Sequence, residues 1–222
     1  MKHIKSLVSA RVAGVATPSV LADERLASAA DARGRVVHAA EHCFAQYGVA
    51  KTTVEDVARL AGVSRATIYR YFPGGRDEIV LAALLASANE FLPQLPARLR
   101  TARSLGESIV ELIVSAVEWM RNEPWRAALL AAPLSRALDT TDAAAPYALC
   151  SAFIEPYFTA ARDAGLVRTQ VGLDDAVEFV VRMIHSLLVV PGHRERDDAE
   201  LRRYVRTFVV PALLVQRSPT RP

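Results

Sequence analysis

The stretch TTVEDVARLAGVSRATIYRYF, Thr52 to Phe72, decides the fold. Val54, Val57, Ala58 and Ala61 recur at i, i+3, i+4 and i+7, the apolar stripe of one helix. Thr53 precedes the stripe, where a hydroxyl can accept from a free backbone N–H, and Glu55 and Asp56 fall in the first turn, where the helix dipole favours negative charge. Gly62 follows and suits the left-handed residue that closes a helix. Ser64 then caps a second helix, from about Arg65 to Tyr71, with Ile68 and Phe72 facing inward. Small Ala58 lets the two helices approach, Gly62 makes the corner, and Val63 and Ile68 fill the angle. That is the steric recipe of a helix-turn-helix, whose second helix enters the DNA major groove. The outward residues of that helix are Arg65, Ala66, Thr67, Tyr69, Arg70 and Tyr71. An arginine can bond guanine edges bidentately, and a threonine can touch a base edge or a thymine methyl. Tyrosine hydroxyls and Ser64 can bond phosphates and fix the register. The plain alternative is a helical hairpin with a solvated polar face. It does not explain why each small, apolar and capping residue falls where the motif needs it.

Working outward, RVVHAAEHCFAQYGVAKTTVEDVARLAGVSRATIYRYF resembles the N-terminal DNA-binding domain of the TetR family of bacterial repressors. The resemblance rests on a helix ending in Phe44 and Tyr47-Gly48, then Thr52-Thr53, Val57-Ala58, Ala61-Gly62-Val63-Ser64, Thr67-Ile68-Tyr69 and Tyr71-Phe72. It covers roughly Arg33 to Leu85; beyond that only the helical pattern is similar. One departure is visible. The family passes from its Phe to the next helix through a short Gly-Ser-Lys-like link, whereas here the link Pro73-Gly74-Gly75-Arg76 is one residue longer. The resemblance implies that the family's phosphate-binding lysine maps onto Arg76. Lys51 and Thr52, ahead of the first helix of the pair, are within reach of phosphate, and Thr53 joins them as a candidate contact.

Composition is compatible with that reading. The chain has 222 residues, 51% of them hydrophobic, enough for a sizeable core, and a net charge of +3. Between Arg33 and Arg76 seven basic residues face three acidic ones, while from Ser87 to the end sixteen face sixteen. The excess positive charge therefore lies on the expected DNA reader. Cys43 and Cys150 belong to no Cys-x-x-Cys motif; Cys43, beside Phe44, reads as a small buried hydrophobe, and reduced thiols fit a cytoplasmic protein. His38 and His42 stand one helical turn apart but lack a carboxylate-plus-His zinc signature, so neither metal nor cofactor is expected. No apolar run reaches the ~20 residues of a membrane span, and no membrane partner is expected.

The expected architecture is all-α: an N-terminal three-helix, homeodomain-like helix-turn-helix bundle, then a C-terminal antiparallel helical bundle for ligand binding and dimerisation. Residues 1–30 read as a flexible N-terminal arm, partly helical near Leu21 to Ala30; 31–76 as the DNA-binding domain; 77–215 as the second domain; and 216–222 as a disordered tail. The first helix runs from about Asp31 to Tyr47, with Val37, Ala40, Phe44 and Tyr47 inward. A fourth, apolar on several sides, runs from about Asp77 to Leu92 and stops at Pro93 and Pro96. Ser104 and Glu107 form a capping box that opens a long helix to Met120, and Pro124 starts a short one to Ala131. Leu134 to Ala145 reads as a loop with a turn of helix. A further helix, Tyr147 to Ala164, carries an internal Pro156, and two apolar helices follow, near 174–190 and 197–215, with Pro211 set to kink the last. Those two are too apolar for a small bundle to cover alone, and the resemblance implies that they form a four-helix interface with a second copy. A two-fold dimer presents two reading helices about 34–36 Å apart, one turn of operator DNA.

Trp119, Met120, Trp125, Phe153, Tyr157, Phe158, Met183 and His185 are candidates to line an apolar effector pocket, with core filling as the alternative for each. The function read from the sequence is a DNA-binding transcriptional repressor released from its operator by a small hydrophobic effector. The alternative is a regulator of the same fold with no small-molecule ligand, controlled by a partner protein or by its abundance. An enzyme is not expected: there is no Gly-x-Ser-x-Gly elbow, P-loop, dinucleotide fingerprint or His-Glu-x-x-His motif.

Overall fold

The computed structural model describes residues 24–131, 144–190 and 192–215. The helices are α1 Glu24–Tyr47, α2 Val54–Ala61, α3 Arg65–Tyr71, α4 Arg76–Phe91, α5 Leu95–Leu99, α6 Leu105–Asn122, α7 Pro124–Ala131, α8 Ala144–Asp163, α9 Leu173–Val189, α10 Asp198–Tyr204 and α11 Val210–Leu213. Among the described residues, β pairing amounts to one isolated antiparallel bridge, Val167 to Leu214. The all-α expectation is met. The expected loop from Leu134 lies largely outside the described residues, as do most of the N-terminal arm and the tail from Gln216. The helices form two compact units, one containing α1 to α4 and α7, the other containing α5, α6 and α8 to α11. This division differs from the boundary expected at 76/77, because α4 and α7 belong with the helix-turn-helix.

In the first unit the core is built on Val36, Ala40, Phe44, Ile68, Phe72, Ile79 and Ala83. Burying each large side chain of this kind contributes about 1.5–3 kcal/mol. Cys43 is buried, as expected, and burial pushes its thiol above its ordinary value. Tyr47, expected inward, is exposed; Val36 and Cys43 fill the inner face of α1 instead. The helix also starts at Glu24, well before Asp31. Trp125 of α7 packs against Phe44, ring centroids 5.7 Å apart, and Arg126 donates from Nε to Ser87 Oγ of α4 at 3.0 Å. Sequence pattern alone had placed Trp125 among the effector contacts; it is a core residue of this unit.

Half-buried Glu41 of α1 lies near Arg126 and Glu90. Burial, and then the Glu90 carboxylate, hold its carboxyl above the ordinary 4.5, against the opposing effect of His38 and Arg126. The charged form is thus the costly one in the folded state. Stability from this group is fully present below the unfolded-state value and is lost as pH rises through the raised one. Glu41→Gln is therefore expected to raise the thermal midpoint at pH 7 and to have little effect near pH 4, a comparison made by melting both proteins at the two pH values.

Pro93 and Pro96 do not stop the helical path. A 3₁₀ turn, Leu92–Gln94, and α5 continue it, with Pro96 in the first turn of α5, where its missing N–H is tolerated. The run from Arg76 to Leu99 is consequently 24 residues and, by length and composition, apolar enough to cross a bilayer. Its most apolar window is half buried inside the fold, with Ile79, Val80 and Ala83 in the first unit's core, as befits a core helix.

In the second unit, Val110, Ile113, Val114 and Val117 of α6 face Leu201, Val205, Val209 and Leu213 of the final helical stretch. The register is fixed by two cross-helix ion pairs. Arg206 grips Glu107 through two bonds, at 2.8 and 3.0 Å, and Arg202 pairs with Glu111. Successive pairs run in opposite senses along the chain, the mark of antiparallel helices. Ser104 Oγ caps α6 by accepting from the Glu107 N–H at 3.2 Å, but the Glu107 carboxylate that would complete the box is held by Arg206. Ahead of Pro211 the last helix passes through a π segment, Val205–Val209. The Val210 N–H reaches back to the Val205 carbonyl, the wider turn that accommodates a residue lacking an N–H.

Candidate nucleic-acid interface

The helix-turn-helix is assembled by local bonds that match its sequence. At the start of α2, Thr53 and Asp56 form a complete capping box, with the Asp56 N–H donating to Thr53 Oγ1 at 3.1 Å and the Thr53 N–H to Asp56 Oδ2 at 3.1 Å. The Thr53 hydroxyl, which donates to Oδ2 at 2.6 Å, then the Thr53 N–H, and then Arg59 hold the Asp56 carboxyl below its ordinary value. Val54, Val57, Ala58 and Ala61 are all buried. Gly62 takes φ 66°, the left-handed region, and the Val63 N–H returns to the Ala58 carbonyl, closing α2. Ser64 Oγ accepts from the Thr67 N–H at 3.1 Å and caps α3. Ile68 and Phe72 have no exposed surface and pin the back of α3 to the core.

That leaves a polar front. Arg65, Ala66, Tyr69 and Arg70 are exposed on α3, as are Ser64 at its start and Lys51 ahead of α2. Arg65 Nη1 lies 2.7 Å from Glu55 Oε1, with its guanidinium over the Tyr69 ring at 5.5 Å. Thr67 is half-buried and shares its hydroxyl with Ser64 Oγ at 2.9 Å. Tyr71, expected outward, is half-buried against the core, its hydroxyl accepting from Arg70 at 3.0 Å. Thr53 is exposed, but its hydroxyl is engaged with Asp56 at 2.6 Å.

Two expected contacts turn inward. Thr52 is 3% exposed and donates to the Gly48 carbonyl at 2.9 Å, so its hydroxyl faces away from any phosphate. Arg76 donates from Nε to the Thr52 carbonyl at 3.1 Å and from Nη2 to the Val49 carbonyl. Gly75 adopts φ 65°, and Arg76 opens α4 turned toward the segment before α2. Hydrogen bonds to a charged group contribute about 1.5–3 kcal/mol each. Arg76→Ala is expected to cost about 2 kcal/mol in urea unfolding while leaving the salt dependence of DNA binding unchanged.

A family model, "Bacterial regulatory proteins, tetR family", matches residues 36–83, from the middle of α1 into α4. An uncharacterised HTH-type transcriptional regulator of Mycobacterium bovis is 30% identical over 143 residues, 63% of this chain and 71% of that one. The chain belongs to the TetR family.

This TetR-family chain is a DNA-binding helix-turn-helix transcriptional regulator, and regulators of the family bind operator DNA and act as dimers; the family is generally non-enzymatic. The regulator TtgR of Pseudomonas putida is 45% identical over 62 residues, 28% of this chain and 29% of its own length. Among solved structures, RolR in complex with the ligand resorcinol superposes with TM-score 0.63 at 15% identity, over 85% of this chain and 90% of that one. FadR of Bacillus subtilis in complex with stearoyl-CoA gives 0.54 at 16% identity, over 80% and 97%. At these identities the likeness is one of fold.

The eight effector-pocket candidates of this TetR-family regulator fall in both units. Trp125 lies in the first unit's core, and His185 is exposed on α9, so it is not the buried polar group expected. Met120 is buried; Trp119, Phe153, Tyr157, Phe158 and Met183 are half-buried, and Phe158 and Met183 pack on the second unit's core. Sequence reasoning also missed Glu55 and Arg33. Glu55 pairs with Arg65 across the turn, and Arg33 places its guanidinium 5.0 Å over the Phe72 ring. Local patterns carry no signal for the first; the run of basic residues hinted at the second. Among the described residues no cluster of three His, Cys, Asp or Glu side chains suits a metal ion.

Proposed function

We propose that the protein is a cytoplasmic, dimeric repressor whose α3 reads operator DNA in the major groove, with Lys51, Ser64, Arg65, Ala66, Tyr69 and Arg70 as its contacts and Thr53, Thr67 and Tyr71 as supports. The observation that carries this is the exposed front of α3 on a buried apolar back, with Arg65 and Arg70 side by side with tyrosine rings. Dimerisation falls to α9 and the last helical stretch, where large apolar residues remain uncovered in one chain: Val190 is 61% and Phe208 64% exposed. A small hydrophobic effector, of the aromatic or acyl kind that RolR and FadR carry, releases the repressor by favouring a different spacing of the two reading helices. The burial of Trp125 in the first unit's core and the exposure of His185 favour a second reading, a regulator without a small-molecule ligand that answers to a partner protein or to abundance.

The test is selection of a duplex from a random-sequence pool by the purified protein, followed by sedimentation of the complex. Two chains on one duplex with two-fold symmetric half-sites are expected. A monomer at micromolar concentration, or a pool that stays random, contradicts the proposal.

A further inference from the structure

Arg65 does not stand free on the reading face. Its Nη1 lies 2.7 Å from Glu55 Oε1 on α2, its Nη2 lies 3.5 Å from the Tyr69 hydroxyl, and its guanidinium sits over the Tyr69 ring. The pair is open to solvent, with 63% of the Arg65 side chain and 55% of the Glu55 side chain exposed, so its contribution to stability is small. Its consequence is for recognition. A carboxylate on the surface that meets DNA is repelled by phosphate, and it cancels the charge of the one arginine at the leading end of α3.

We propose that Glu55 is a positioning residue that sets sequence specificity: it holds Arg65 against Tyr69 and discharges it toward phosphate, so that the fork is directed to an uncharged acceptor edge, that of guanine. A base edge offers N7 and O6 without formal charge, and an arginine whose charge is already matched still bonds them. A phosphate gains from the arginine's charge and loses to the neighbouring carboxylate. Specificity thus comes from an element that weakens the wrong contact as well as one that makes the right contact. The interactions with Tyr69 and Glu55 also keep Arg65 firmly protonated. The inference rests on the proposed reading of DNA by α3.

The experiment uses the full chain and two duplexes, one selected by the wild-type protein from a random pool and one of the same composition in scrambled order. For Glu55→Gln, affinity for the scrambled duplex is expected to rise about threefold to tenfold near 0.1 M salt, its log–log salt slope to steepen by about 0.9 for each newly engaged phosphate, and the selected-to-scrambled ratio to fall about tenfold. The same substitution is made in an Arg65→Ala background, where the ratio is expected not to change. An unchanged ratio for Glu55→Gln alone overturns the proposal. So does an equal fall in both backgrounds, which would assign the effect to lost negative charge and not to Arg65. If the wild-type protein selects no duplex, the reading of DNA by α3 itself fails. If it selects one and Glu55→Gln leaves discrimination intact, only the role of Glu55 fails.

Discussion

Replacing Phe72 by Ala is expected to cost about 3–5 kcal/mol of folding free energy, the range for truncating a fully buried aromatic side chain. Phe72 has no exposed surface and sits in one core with Phe44, Ile68 and Ile79. It follows α3 directly and donates its N–H to the Ile68 carbonyl at 2.8 Å, so the cavity would open under the reading helix. Whole domains are stable by only ~5–15 kcal/mol, so the loss removes much of the first unit's margin. Urea unfolding followed by helix signal measures it. A loss below about 1 kcal/mol would mean that α3 is not anchored through this ring.

The second large effect is of salt on DNA affinity. Lys51 and Arg33 are exposed cations of the first unit outside α3, giving about four phosphate contacts in a dimer at an expected slope near −0.9 for each. Raising monovalent salt from about 50 to 200 mM is then expected to weaken binding roughly 10²-fold. The Coulombic attraction is screened over ~10 Å at about 0.1 M, and counterions released on binding no longer favour the complex. Titrating a labelled duplex at four or five salt concentrations yields the slope. A slope near zero would exclude a phosphate-gripping surface.

What was legible in the sequence was what local chemistry determines. The boundaries of α2 and α3, both caps and the left-handed Gly62 follow from side chains within three or four residues of the groups they satisfy, so the string of letters contains the whole interaction. What was not legible depends on distant partners. Arg76 looked like a phosphate ligand by position, yet it bonds carbonyls more than twenty residues earlier. Trp125 and Phe44 meet across eighty residues of chain, and nothing in the neighbourhood of either announces the other. Pro93 and Pro96 read as stops, but each falls where a helical turn begins anew and the missing N–H is harmless. Thr52 and Tyr71 illustrate the same limit, because polar residues at the edge of a motif face inward or outward according to carbonyls and rings that the motif does not specify. In the second unit the pattern gave the helices, while the ion pairs that fix the register of α6 against the last stretch join residues about a hundred positions apart.

The most direct test of DNA reading by the exposed front of α3 is equilibrium binding of the Tyr69→Ala, Arg70→Ala double variant to the duplex selected by the wild-type protein, with urea unfolding of both proteins alongside. At about 1–3 kcal/mol for each specific contact, affinity is predicted to fall about a hundredfold or more with the unfolding midpoint nearly unchanged. A double variant that folds normally and binds within twofold of the wild type would contradict it.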